Sequence, residues 1–195
     1  MSRTPIRAAL AALIGEGLIV RDPRRGYMIA PIDLQEIHDL FEFREELEDT
    51  AVRLACRRAR PEDLDALRRT VERGRTDFEV EDWMASGLDV HVELAALSGN
   101  PFLRDAVHAA VGRALRLRWL LASDKTQRDA AFKEHSEILD LVAAGDEDEA
   151  ARKIRLHTQA VRDQILAAVE GARRFLGTRG VVDQTSAQAR NDTDA

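Results

Sequence analysis

Apolar residues recur at three- and four-residue spacing along most of this chain, and a few sharp breaks divide the pattern into elements. Ile6, Leu10, Leu13 and Ile14 form one helical face behind Ser2, a good N-cap, and Pro5, which a first turn tolerates. Gly15 and Gly17 stop that helix. Two short β-type runs follow, Leu18-Ile19-Val20 and Tyr27-Met28-Ile29, joined by the turn Asp22-Pro23-Arg24-Arg25-Gly26.

Pro31-Ile32-Asp33 marks the next boundary, with Asp33 as an N-cap and Glu36 as its capping-box partner. From there the period is helical throughout. The spacing predicts a helix from Asp33 to about Arg58 through Leu40, Phe43, Leu47, Val52 and Leu54, and a second opened by Pro61 with Leu64, Leu67 and Val71. A third is expected over about Asp77 to Leu97, with Phe78, Val90, Leu94 and Leu97 in the core. Ser98-Gly99-Asn100-Pro101 turns the chain into a fourth, strongly apolar helix to about Ala122, carrying Leu103, Val107, Val111, Leu115 and Leu117. A fifth runs from about Thr126 to Ala144 and ends at Gly145. The sixth begins after Asp146, acidic in its first turn as the helix dipole prefers, and passes Ile154, Val161 and Ile165 to about Arg174. From residue 176 the sequence is polar and aperiodic and reads as a disordered tail. The chain is therefore all-α but for the N-terminal hairpin: residues 1–31 a small unit, residues 32–175 an antiparallel bundle of about six helices, residues 176–195 a tail.

Composition sharpens this only in part. Aromatics are 5% of 195 residues, and the abundant Ala, Leu, Arg and Glu favour helix. The single cysteine, Cys56, excludes an internal disulfide and fits a reducing cytoplasm. Neither a secretory signal nor an apolar run of membrane-spanning length is present. The net charge of −6 argues against a general nucleic-acid binder, but its distribution points elsewhere. Residues 1–31 carry +3 and the remainder −9, a basic head on an acidic body, which suits a protein that touches DNA at one end.

The head has the layout of a winged helix. Arg3, Thr4 and Arg7 lie in the first turn of its helix, placed for the major groove, and the basic turn would meet the backbone or minor groove. The run Ser2-Arg3-Thr4-Pro5-Ile6-Arg7-Ala8-Ala9-Leu10, then Glu16-Gly17-Leu18, then Arg24-Arg25-Gly26-Tyr27, resembles the second half of the DNA-binding domain of GntR-type regulators. The resemblance implies that Ser2, Arg3, Thr4 and Arg7 contact bases and phosphates, and that Arg25 and Gly26 form the wing tip. The family domain has a further strand-and-helix segment before this point, so the head is expected to be a winged helix truncated at its N-terminus.

The body carries five histidines, His38, His91, His108, His135 and His157. Three stand in contexts similar to the FCD effector-binding domain of FadR-type GntR regulators: His91 before Ser98-Gly99-Asn100-Pro101, His135 in Glu134-His135-Ser136-Glu137, and His157 on the helix after Gly145. Arg44-Glu45-Glu46-Leu47-Glu48 is similar to that family's Arg-x-x-Leu-Glu motif, and the likeness spans nearly all of residues 33–170. It implies a divalent metal, zinc being one candidate, held inside the bundle by His91, His135 and His157. The family's carboxylate ligand, four residues before the first histidine, is here Gly87. Asp89 is the nearest acid, but two residues turn a helix by about 200°, away from His91. Two readings stay open: a metal with water or an effector carboxylate completing its shell, or a metal-free pocket whose histidines bind an anion directly.

The family also implies an effector that is a small carboxylate or sugar acid. Arg44 is a candidate anchor for it, or else the i,i+4 ion-pair partner of Glu48; Arg116, in a cluster with Arg113 and Arg118, is a second candidate. Trp83 and Trp119 could line such a pocket or serve as plain core. The expectation is a ligand-responsive regulator, homodimeric on a palindromic DNA operator and cytoplasmic. Its rival is an effector-binding module without competent DNA binding, acting through mixed dimers. A metal-dependent enzyme is disfavoured, since no general base stands poised beside the histidines and no nucleophile or phosphate-loop motif occurs.

Overall fold

The computed structural model of the chain describes residues 3–15, 17–76, 90–118, 125–176 and 181–182, and of residues 3, 4, 73–76, 116, 118, 125, 173–176 and 181–182 the backbone alone. The chain divides into two compact units, residues 1–36 with 171–195, and residues 37–170.

In the first unit, helix α1 (Arg3–Gly15) leads into an antiparallel hairpin of β1 (Ile19–Asp22) and β2 (Gly26–Ile29). The helix ends because Gly17, at φ 70°, reverses the backbone and lets Gly17 N–H reach Ile14 O at 3.0 Å and Leu18 N–H reach Leu13 O at 2.9 Å. Register in the hairpin pairs Ile19 with Ile29 and Asp22 with Gly26. Its tip is held by one side chain: Asp22 Oδ1 accepts from the amides of both Arg24 and Arg25, each at 2.7 Å. Gly26 closes the turn at φ 86°, a left-handed conformation that side chains resist.

One expectation changes here. Within the stretch read as a structureless tail, Val181–Val182 form a strand, β4, parallel to β3 (Ile32–Asp33), with Ile32 opposite Val181 and Asp33 opposite Val182. Two adjacent β-branched residues suit an extended ladder, but a run that short is lost in a polar context.

The second unit holds the bundle. Helix α2 (Leu34–Arg58) is capped by Asp33, whose Oδ1 accepts from Gln35 N–H at 2.9 Å; α3 is Pro61–Thr76. Residues 90–96 are helical and are called α4; the rest of the expected third helix lies outside the described residues. Asn100 Oδ1 caps α5 (Pro101–Arg118) by accepting from Phe102 N–H at 3.1 Å. Helix α6 (Lys125–Ala144) and helix α7 (Glu147–Leu176) complete the bundle, with Asp146 Oδ1 accepting from Glu149 N–H at the start of α7.

The main core draws Val52 and Ala55 from α2, Leu64, Leu67 and Val71 from α3, Val90 and Leu94 from α4, Ile138 and Leu139 from α6, and Ala151 and Ile154 from α7. On α2 the buried face differs from the expected one. It runs Ile37, Phe41, Arg44, Glu48, Ala51, Val52 and Ala55, while Phe43 is half exposed. Antiparallel ion pairs lace α2 to α7: Arg57 to Glu147, Arg53 to Asp148, and Arg155 to both Asp49 and Glu46. Gln159 and Arg162 reach Glu45 one and two turns further along.

Candidate functional site

Four helices of the bundle bring their most polar interior residues to one place. His91 comes from α4, His135 from α6 and His157 from α7, each only 4% exposed. Glu48 comes from α2 and is equally buried. His38 and His108 stay on the surface, so the fold sorts the five histidines into a cluster of three and two bystanders. The three rings contact one another, with centroids 4.7 to 5.2 Å apart, and His135 Nε2 lies 3.2 Å from His157 Nε2. One ligand atom from each of the three lies within 4.8 Å of the other two.

Two carboxylates decide which nitrogens face inward. Glu48 Oε2 stands 2.6 Å from His91 Nδ1, and Glu134 Oε2 stands 2.7 Å from His157 Nδ1. Burial works against ionisation of Glu48, but the Arg44 charge and the hydrogen bonds from His91 and Arg44 outweigh it, so its pKa falls far below the carboxylate range. The same burial pushes His91 down to about 4 despite the pull of Glu48, so its ring is neutral at pH 7. Glu134 is also lowered, chiefly by its bond with His157. An ionised carboxylate only accepts, so Nδ1–H donates in both pairs, and the neutral ring of His91 keeps its lone pair at Nε2. This is the arrangement in which protein imidazoles bind a metal, an outer carboxylate fixing tautomer and ring orientation. Two nitrogens at about 2.05 Å from a tetrahedral zinc stand about 3.3 Å apart, close to the His135–His157 spacing. The donor set fits a borderline metal such as zinc.

Sequence reasoning singled out the three histidines but missed both carboxylates as their partners, and it saw no acid against the rings. Glu134 adjoins His135 in sequence yet serves His157 across the helix pair, and Glu48 serves His91 forty-three residues away. No spacing rule joins such pairs. Arg44, proposed either as an anchor or as an ion-pair partner, forms the ion pair. Its Nε and Nη2 lie 2.9 and 2.8 Å from Glu48 Oε1, and its guanidinium sits 4.8 Å from the centre of the Phe41 ring. Asp89, Gly87, Trp83 and Trp119 lie outside the described residues, as does the side chain of Arg116. Arg113 is exposed. A cavity of about 630 Å³ between α2, α3 and α4 is lined by Arg58, Asp63, Leu67, Thr70, Glu93 and Leu97 and by none of the histidines.

In the first unit, Arg7 and Arg25 are exposed and Gly26 closes the turn. Ser2 lies outside the described residues, and Arg3 and Thr4 lie in the first turn of α1.

Residues 39–160 match the FCD domain family. The chain is 33% identical over 181 residues to the Nta operon transcriptional regulator of Aminobacter aminovorans, covering 92% of this chain and 85% of that protein. It is 26% identical over 201 residues to the transcriptional repressor NanR of Enterobacter sp. (strain 638), covering 89% and 75%. Among solved structures, E. coli McbR/YncC superposes with a TM-score of 0.74 at 19% identity, covering 86% of this chain and 81% of its own. A GntR regulator from Rhodococcus sp. RHA1 gives 0.72 at 21%, covering 86% and 82%. These relatives are regulators of transcription and not enzymes, and among the described residues no helix is long and apolar enough to cross a membrane. Head and bundle, read together with these matches, place the chain in the GntR family of transcriptional regulators, in its FadR-type branch with an FCD effector-binding domain.

Proposed function

We propose that this regulator senses a small carboxylate or sugar acid through a divalent metal, zinc by preference, held by His91, His135 and His157. The observation that carries the reading is the convergence of three buried imidazoles, two of them tied at Nδ1 by Glu48 and Glu134. A metal there would offer open coordination positions to carboxylate oxygens. Arg44 holds Glu48, and so the ring of His91, in place through Nε and Nη2. At the head, Ser2, Arg3, Thr4 and Arg7 would read bases and phosphates and Arg25 with Gly26 would set the wing against the duplex. A homodimer would place two heads on a palindromic site in the cytoplasm, and the effector would act by shifting the population of head arrangements.

The test is fluorescence anisotropy with duplex DNA from upstream of the chain's own gene, against a scrambled duplex at fixed salt. Selective binding that changes on adding zinc together with one of a panel of hydroxy acids or sugar acids supports the reading. Selective binding that responds equally with and without zinc removes the metal and keeps the effector. Absence of selectivity removes the DNA reading for this chain.

A further inference from the structure

The two carboxylates behind the histidines are not equivalent. Glu48 is sealed in the bundle, and Arg44 already offsets its charge through two contacts to Oε1. Glu134 has a side chain 39% exposed, and the ring of His157 is what it holds. The nearby cation Lys153 makes its ion pair with Glu137 and acts on Glu134 only through its charge, without a contact. Three imidazoles bring no negative charge to a dication, and the Arg44–Glu48 pair brings none in sum. Among the described residues, Glu134 is therefore the anion beside the site that no arginine pairs with, one imidazole away from the converging nitrogens.

Resting on the metal reading above, we propose that Glu134 is the positioning residue that sets the metal affinity of this site: it fixes His157 with Nε2 inward and supplies, from outside the ligand shell, the negative charge the three histidines lack. Glu48 performs the orienting half of that task for His91, with its charge cancelled. Removing an outer-shell carboxylate of this kind weakens metal binding by about 10- to 100-fold in proteins generally. Because Glu134 lies at the solvent edge of α6, its loss leaves the packed core intact.

The experiment uses the full chain freed of metal with a chelator, as wild type, Glu134→Gln and Glu134→Ala. Zinc affinity is measured by competition with a chromophoric chelator, cobalt(II) absorption reports the ligand set, and melting of the metal-free proteins reports the fold. The expected order of zinc affinity is wild type, then Gln, which keeps an acceptor for Nδ1–H but no charge, then Ala, weaker than wild type by about 10- to 100-fold. Metal-free melting falls only by what the lost Glu134–His157 hydrogen bond is worth, and the cobalt bands keep their positions. Zinc binding by Glu134→Ala within twofold of wild type overturns the proposal while leaving the metal site standing. Shifted cobalt bands in Glu134→Ala make Glu134 a direct ligand and overturn the outer-shell role. Failure of wild type to bind zinc overturns the metal reading and this proposal together.

Discussion

At the scale of residues, the bundle spends burial on charge. Arg44 and Glu48 are almost fully enclosed, and each is tolerable only because the other, with His91, meets its hydrogen-bonding groups. Glu48→Ala leaves a guanidinium enclosed with no anion, so equilibrium unfolding in urea is expected to show a loss of about 3–5 kcal/mol. The double variant Arg44→Met with Glu48→Leu, which removes both charges and keeps bulk, recovers most of that stability but none of the His91 orientation. Asp49 behaves differently with pH. Burial raises its pKa, but hydrogen bonds from Arg155 and Arg53 and their charges hold it below the ordinary value. Its folded pKa is therefore below its unfolded one, so its contribution is fully present above about pH 4 and fades as pH falls through the folded value. The stability gap between wild type and Asp49→Asn should be constant from pH 7 to 5 and shrink on further acidification, measured by urea titrations at each pH. A gap that widens in acid would assign the opposite sign to the shift.

The element scale shows why some of this was legible and some not. Leu64, Leu67 and Val71 on α3, and Val107, Val111 and Leu117 on α5, lie buried where their spacing put them, because these faces are apolar and amphipathic in the ordinary way. Helix α2 breaks that rule: its inward stripe interposes Arg44 and Glu48 between Phe41 and Ala51, so a reading that equates burial with apolarity rotates the helix and places Phe43 inside. The three histidines were legible from their local motifs, but their carboxylate partners were not, since both pairings are tertiary. In the hairpin, turn chemistry was readable because Asp, Pro and Gly act locally. Asp22→Ala removes the acceptor for two wing-tip amides, and Gly26→Ala forces a side chain into a left-handed backbone at a cost of about 1–2 kcal/mol. Both substitutions should weaken DNA binding severalfold in anisotropy titrations while the bundle melts as in wild type. Arg25→Ala should also lower the slope of log affinity against log salt by about one, if its guanidinium meets a phosphate.

For the whole molecule, charge acts at a distance, and a metal held by the three histidines would add to stability. The head carries +3 and the rest −9, so association with DNA should be steered toward one end and fall steeply with salt. Zinc at 100 times its Kd adds about 2.7 kcal/mol to a folded state that binds it when the unfolded chain does not. Calorimetry should therefore show a rise in Tm with zinc, abolished in His157→Ala. A rise that survives His157→Ala would place the binding elsewhere.

The short parallel ladder of Ile32–Asp33 with Val181–Val182 has a consequence for synthesis. Ile32 and Asp33 leave the ribosome while most of the bundle is still untranslated, and their partners emerge only after α7 is made. Until then the strand preceding α2 waits with open backbone groups, so this ladder belongs among the late events of folding, when the cost of closing so long a loop has already been met by the bundle. A chain stopped after Leu176 should thus reach a folded bundle at the wild-type rate in stopped-flow refolding. Amide exchange at the β3 residue whose N–H faces β4 should then be faster than in the full chain, with the bundle core protected alike in both.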